Sequence, residues 1–343
     1  MPDTSRPSTL LWIDANQAAF AHAVAERAGL RVVGVAVAPG GAGEGPGAAE
    51  LFPDAAHSSD LRATIARLKP ELAVLLTARS AEPTAGKRGP SPAMDGGVRA
   101  LCDAHKVRLV SLEPTPGSLD DLRRAEWPGT EIVPLLARSR SYLDAVEAIE
   151  ELGAVRTAAV TLLGGATAGS LGARLFDAMH LLHGLLGTPE SIDAAHAPVD
   201  ARVAPPGATA PLAEFVGDMT ANLRFAGARA ASVCLSSRGG QWFRGLTLLG
   251  EHGRMRLDER GFEIISPDGE TRDASSARAP VDASVRPAVR AVAEAIARTL
   301  DRHAPPLAPV PVREVLAMCE AATLSAQTGQ AESPQTVLAM MGG

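Results

Sequence analysis

Short unbroken apolar runs alternate with stretches of helical spacing along the first third of the chain. Residues 10–14 (LLWID), 30–38 (LRVVGVAVA), 72–76 (LAVLL) and 107–112 (VRLVSL) read as buried strands. Between them, 17–28, 59–68 and 97–105 carry apolar residues three and four apart and read as helices, the first closed by Gly29. Strands apolar through their middles and separated by helices predict a parallel sheet covered on both faces. Residues 39–48 (PGGAGEGPGA) read as a flexible loop and 79–96 as a Pro/Gly/Ser-rich insertion.

The pattern changes after about residue 128. A helix at 141–152, a strand at 155–163 and a helix at 171–186 are followed by a series of strands from about 190 to 265, a turn at Asp268-Gly269, and two helices at 286–301 and 311–328. No internal repeat is present. The prediction is an α/β protein: a doubly wound domain over 1–128, then an α+β domain over 129–343 with a large, mostly antiparallel sheet.

Composition narrows the function classes. Of 343 residues, 46% are hydrophobic and 21% charged, an ordinary globular balance. The net charge of −6 gives no basic footprint for nucleic acid. No apolar run reaches the roughly 18 residues that span a bilayer, and the N-terminus lacks the pattern of an export signal. Cys102, Cys234 and Cys319 are scattered without C-x-x-C spacing, which points to a reducing cytoplasm and away from a disulfide framework or metal site. The only lysines are Lys69, Lys87 and Lys106, so a lysine acid must come from the first third.

The turn after the first strand holds the first chemical question. Dinucleotide-binding proteins place glycines there, so that backbone N–H groups can approach a pyrophosphate at the helix N-terminus. Here the segment reads Asp14-Ala15-Asn16-Gln17-Ala18-Ala19, without glycine, and no G-x-G-x-x-G occurs elsewhere. A carboxylate about 5 Å from a phosphate costs roughly 3 kcal/mol at an effective dielectric of about 20, about two orders of magnitude in affinity. Asp14 followed by Gln17 instead has the pattern of a helix N-cap with its reciprocal partner.

Three phrases carry a resemblance over nearly the whole chain: 171–190 (LGARLFDAMHLLHGLLGTPE), 320–329 (EAATLSAQTG) and 107–114 (VRLVSLEP). They resemble the Gfo/Idh/MocA family of glucose–fructose oxidoreductase, inositol dehydrogenase and their relatives. The resemblance implies a Rossmann domain for NAD(P), a sheet domain shaping a sugar or polyol pocket, and assembly into homo-oligomers through that sheet. It also assigns positions. The cofactor turn falls on Asp14, Ala15, Asn16 and Gln17, with Ala19 the one tolerated residue of the fingerprint, and the ribose acid falls near Ala38. The family's Glu-Lys-Pro falls on Leu112-Glu113-Pro114, so Glu113 replaces the lysine. Lys106, at the other end of that strand and about 20 Å away, cannot replace it. The catalytic pattern Asp-x-x-x-His-x-x-Asp falls on Ala173, Asp177 and His180.

Asp177, His180 and His183 share a helical stripe, and Asp177 with His180 is the candidate acid/base pair. The other reading is a remnant helix hydrogen-bonded in a cleft. Two histidines and one aspartate on one helix present a metal poorly, and no metal is expected. Arg138 and Arg140, with His183, are candidate substrate contacts for an anionic or hydroxylated ligand, surface ion pairing being the alternative for each arginine. Four requirements of hydride transfer are therefore missing at their aligned positions: the phosphate turn, the ribose acid, the lysine and the histidine. The leading expectation is a catalytically degenerate member with a binding, regulatory or assembly role and a small sugar-like ligand. The alternatives are an NAD(P)-dependent sugar or polyol oxidoreductase with a non-standard site, and a non-redox lyase or isomerase using Asp177 and His180.

Overall fold

The computed structural model describes residues 6–39, 46–77, 91, 94–124, 130–200, 210–276, 286–301 and 309–341. Most of the expected loop at 39–48 and insertion at 79–96, with Lys87, lie outside the described residues. The chain divides into two units, Met1–Val133 with Thr167–Gly169 and Pro287–Pro306, and Pro134–Ala166 with Ser170–Arg286 and Leu307–Gly343. The late helix 287–300, expected in the second domain, thus belongs with the first unit. No helix among the described residues is long and apolar enough to cross a membrane.

The first unit holds strands β1 (Ser8–Ile13), β2 (Arg31–Val37), β3 (Ala56–Ser58), β4 (Leu72–Leu75), β5 (Arg108–Ser111) and β6 (Thr130–Ile132), in the order β3-β2-β1-β4-β5-β6. Every pairing is parallel. This is the doubly wound order, with its topological switch point between β1 and β4. Successive β1 side chains point to opposite faces, and both sets are buried: Leu10 and Trp12 on one, Leu11 and Ile13 on the other. Leu10 and Trp12 pack with Leu61 and Ile65 of α3 (Leu61–Leu68) and Val98 and Cys102 of α4 (Gly96–His105). Helix α1 (Ala18–Arg27) packs against α8 (Pro287–Leu300). The strands β3 and β6 and the helices α2 (Ala48–Leu51) and α5 (Leu119–Arg124) escaped the sequence reading, because runs of three to six residues are too short to show a period.

The second unit is built on β7 (Thr157–Gly165), β8 (Ser191–Ala197), β9 (Asp218–Phe225), β10 (Arg229–Ser236), β11 (Arg238–Gly250), β12 (Gly253–Asp258), β13 (Gly261–Ile265) and β14 (Thr271–Ser276). Their order is β14-β13-β12-β11-β7-β10-β9-β8, antiparallel except where β7 meets β10. The predicted Asp268-Gly269 turn joins β13 to β14, with Gly269 at φ 91° donating to the Ser266 carbonyl at 3.0 Å. One face is apolar and buried through Val160, Leu162, Leu223, Val233 and Leu235. Helices α7 (Leu171–Leu186) and α9 (Val312–Thr328) pack on the sheet, α7 chiefly on β10 and α9 on β8. Thr220, Asn222, Ser232 and Cys234 lie exposed at the alternate positions. The remaining helices are α6 (Arg140–Ile149) and α10 (Pro334–Met341).

Helix α7 is sharply bounded. Ser170 Oγ accepts the Ala173 N–H at 2.9 Å, and the Gly187 N–H closes the other end on the His183 carbonyl at 2.9 Å. Its two glycines do different work. A Cβ on Gly172 would lie 2.0 Å from the Leu212 carbonyl oxygen, whereas one on Gly184 meets nothing within 4 Å. Gly172→Ala is therefore expected to destabilise by about 2–3 kcal/mol, and Gly184→Ala to stabilise by about 0.5–1 kcal/mol, read by denaturant unfolding. Equal effects would contradict this packing.

Candidate functional site

The first site lies at the switch point of the first unit, where doubly wound sheets take their ligands outside the carboxyl ends of the strands. Asp14 follows β1, and Ala15–Gln17 form a single tight helical turn before α1. The Asp14 N–H donates to Gln17 Oε1 at 2.9 Å, and the Gln17 N–H donates back to the Asp14 carbonyl at 2.9 Å. This is the reciprocal pairing expected from Asp14 and Gln17. The other end of the Gln17 amide reaches further. Its Nε2 donates to the carbonyls of Leu76 at 3.1 Å, just past β4, and of Thr167 at 3.0 Å. Thr77 Oγ1 donates to Asp14 Oδ2 at 3.3 Å. Two side chains thus tie the end of β1 to the end of β4.

These residues do not fit a dinucleotide. A pyrophosphate needs free N–H groups at this turn, yet the N–H groups of Asp14 and Gln17 are both used within it. A carboxylate stands beside them, and the Gln17 side chain, 4% exposed, crosses between the strands. Ala15 is half-buried and Asn16 exposed. At the ribose position the Ala38 methyl is buried, and its N–H donates to the Ile13 carbonyl at 2.8 Å. Beyond β5, Ser111 Oγ accepts the Glu113 N–H at 3.2 Å and donates to the Glu113 carbonyl at 2.7 Å, fixing the turn that carries buried Glu113 and Pro114. Lys106 is exposed before β5, at the end opposite Glu113.

The second site is in the second unit, on α7. Asp177 is buried, and both its oxygens accept the Leu136 N–H, at 3.1 and 3.0 Å. Its Oδ2 also lies 3.2 Å from Arg244 Nη1, in an ion pair with both partners about 5% exposed or less. The Arg244 guanidinium stacks over Trp242, 4.4 Å from the ring centroid, and Trp242 Nε1–H donates to Glu259. Arg174, one turn before Asp177, donates to the carbonyls of Ser170 at 3.1 Å and Gly165 at 2.9 Å. Burial pushes the Asp177 carboxyl up from its ordinary range, against the pull of Arg244, the Leu136 N–H and Arg174. Burial pushes Arg244 down, while Asp177 and Glu259 oppose it. Among the described residues no group of three or more His, Cys, Asp or Glu side chains is arranged to hold a metal ion.

Asp177 and His180 share the helix, but no hydrogen bond joins them; the Asp177 oxygens already face Leu136 and Arg244. The His180 pKa is pushed down to about 4, first by burial and then by His183 and Arg138, so its imidazole is neutral at pH 7. Its Nδ1 is buried and has no hydrogen-bond partner among the described residues. Arg138 is 8% exposed rather than a surface group. Arg140, by contrast, points outward and pairs with Asp144 at 3.4 Å. Arg244, Trp242, Arg174 and Glu259 were missed by sequence reasoning. One signal was available: in 242–248 (WFRGLTL) the inward positions alternate as Trp242, Arg244, Leu246 and Leu248, and an arginine in such a register requires a buried acid.

No family model matches the chain, and no curated protein matches it. Solved structures do share its fold. Levoglucosan dehydrogenase in complex with NADH and levoglucosan is 14% identical, with 95% of this chain and 99% of that one covered and a TM-score of 0.62. Its complex with NADH and L-sorbose superposes with a TM-score of 0.64 at 14% identity, over 96% and 99%. An oxidoreductase from Agrobacterium radiobacter in complex with NAD+, L-tartaric acid and magnesium is 14% identical over 96% and 99%, with a TM-score of 0.62. The fold is that of the Gfo/Idh/MocA-type dehydrogenases: a Rossmann-like unit and a unit built on a large, mostly antiparallel sheet.

Two outcomes follow from the α7 geometry. Asp177→Ala leaves Arg244 buried without its acid and frees the Leu136 N–H, so a loss of about 3–5 kcal/mol is expected, measured by urea unfolding; a loss below about 1 kcal/mol would contradict the ion pair. The second outcome concerns pH. The folded state holds His180 neutral, with a pKa of about 4 against an ordinary 6.5. Stability from this group is full above pH 6.5 and is lost as pH falls toward 4, by up to about 3 kcal/mol. His180→Gln should flatten that part of the profile, and an unchanged slope between pH 6.5 and 4 would contradict the assignment.

Proposed function

We propose that this chain is a Gfo/Idh/MocA-type protein that has lost dinucleotide-dependent hydride transfer and serves a binding, regulatory or assembly role. One observation carries the reading: the Gln17 amide, with its Oε1 on Asp14 N–H and its Nε2 on Leu76 and Thr167, closes the turn on itself. The aspartate at the aligned histidine position, committed to Arg244 and Leu136, supports it independently. In this reading the retained chemistry is that of the second unit, which takes a small sugar-like ligand, and the chain works in the cytoplasm as a homo-oligomer. The exposed alternate positions of the large sheet, Thr220, Asn222, Ser232 and Cys234, supply the pairing surface.

The second reading is an NAD(P)-dependent sugar or polyol oxidoreductase with a non-standard site. Its support is the set of similar structures solved with NADH or NAD+ and with levoglucosan, L-sorbose or L-tartaric acid. Calorimetric titration of the cofactor-stripped protein with NAD(H) and NADP(H) separates the two. No binding at millimolar cofactor is the expected outcome. Binding at micromolar strength, with turnover abolished by Asp177→Ala and His180→Ala, would replace the first reading by the second.

A further inference from the structure

We infer that the second unit carries a saccharide-binding groove on the exposed face of its large sheet, where Phe243 and Asp258 flank Gly245, and that it takes a neutral sugar. The inference rests on the reading above that this unit holds a small sugar-like ligand, and gives that ligand a place apart from α7.

The groove encloses about 460 Å³, within the roughly 300–1,000 Å³ of small-molecule sites. It lies over β7, β11, β12 and β13, on the far side of β7 from Thr220 and Asn222. Strand register shapes it. Asp258 of β12 stands opposite Gly245 of β11 on one side and Gly261 of β13 on the other, so its carboxylate rises between two positions without side chains. In the next row Arg256 stands between Thr247 and Glu263, and pairs with Glu263 at 3.6 Å.

The two glycines are there for different reasons. Gly261 has φ 147°, a backbone conformation that the turn from β12 to β13 imposes. Gly245 has no positive φ and lies inside the 13-residue β11, where a glycine weakens a strand and marks a close approach. The group that approaches is the Phe243 ring: a Cβ on Gly245 would lie 2.8 Å from two of its carbons. The missing side chain thus lets the ring lie across the strand, and the ring stays 43% exposed at the edge of the groove.

The lining selects the ligand. An exposed aromatic ring offers an apolar surface to the C–H side of a sugar ring. Asp258 and Glu263 accept hydrogen bonds from hydroxyls, and Arg256 and Arg260 donate to them. The Asp258 carboxylate is held in place, since its Oδ1 accepts the Arg260 N–H at 2.7 Å. With two acids and two arginines in one lining, whatever charge a ligand carries is attracted by one pair and repelled by the other. A neutral molecule rich in hydroxyls uses both pairs at once.

The test uses the purified full chain with maltose as probe, and choline and D-gluconate at equal concentration as a cation and an anion. Binding is read by chemical-shift mapping. Maltose is expected to shift the signals of the β11–β13 face, the Phe243 ring among them, while choline and gluconate do not. Phe243→Ala should weaken maltose up to about tenfold, and Gly245→Val, which displaces the ring, should weaken it as well. Asp258→Asn keeps an acceptor for the Arg260 N–H and should weaken maltose through the lost charge, whereas Arg140→Gln should leave it unchanged. The Tm of each variant establishes that it is folded. Maltose shifts confined to α7, or full binding by both Phe243→Ala and Gly245→Val, would overturn the groove and keep a sugar-like ligand elsewhere in the unit. Choline or gluconate binding as well as maltose would overturn the assignment to a neutral sugar. A change of subunit number in Phe243→Ala by light scattering, with maltose affinity intact, would also overturn it and make the groove a contact between copies. The cofactor titration stands apart: NAD(H) turnover together with maltose on the β11–β13 face would remove the loss of catalysis and keep the groove.

Discussion

A buried carboxylate needs its partners permanently, and in the second unit this constraint organises everything around it. Asp177 balances Arg244, which is stacked on Trp242 and also lies in the field of Glu259. It also takes the Leu136 N–H and so locates the turn that carries Arg138. Gly164 completes the arrangement, since a Cβ there would lie 2.9 Å from both Arg174 Nη2 and Trp242 Cε3. A group tied in this way is poorly suited to exchange protons with a substrate: any proton it accepts weakens the ion pair that holds its neighbours. In the proposed reading, such a group at the aligned histidine position serves architecture rather than chemistry.

In the first unit the corresponding closure is made by a neutral side chain, Gln17. In a phosphate-binding turn the backbone N–H groups remain open until the ligand arrives. Here Gln17 supplies the missing acceptor from within, and its other end adds to the ladder that joins β1 and β4. The two units support the proposed reading by different physics, hydrogen bonding in one and ion pairing in the other.

How much of this was legible in the sequence depended on distance along the chain. Local relationships could be read: the buried strands around Trp12 and Val74, the 16 residues of α7, the turn at Gly269 and the Asp14–Gln17 pairing all involve residues within one element or one turn. What could not be read comes from segments that only the fold brings together. Leu76 and Thr167 offer backbone carbonyls, which carry no sequence signature at all. Arg244 lies on a strand far from Asp177, and Arg138 looked like its exposed neighbour Arg140 until the turn at Leu136 was placed. The short elements β3, β6 and α2 hold their shape through their neighbours rather than through a pattern of their own.

In the proposed reading, the internal closures also account for a fold that persists without its reaction. A site that waits for a ligand carries unsatisfied groups in the free protein, and the ligand supplies stability only in proportion to its concentration over Kd. Once Gln17 satisfies the turn and Arg244 satisfies Asp177, the stability of both places no longer depends on a small molecule. In the proposed reading, a protein so altered folds at any cofactor level, a property that suits a binding or assembly partner. His180 Nδ1 is one of several buried side-chain atoms, His196 Nδ1 among them, without a hydrogen-bond partner among the described residues.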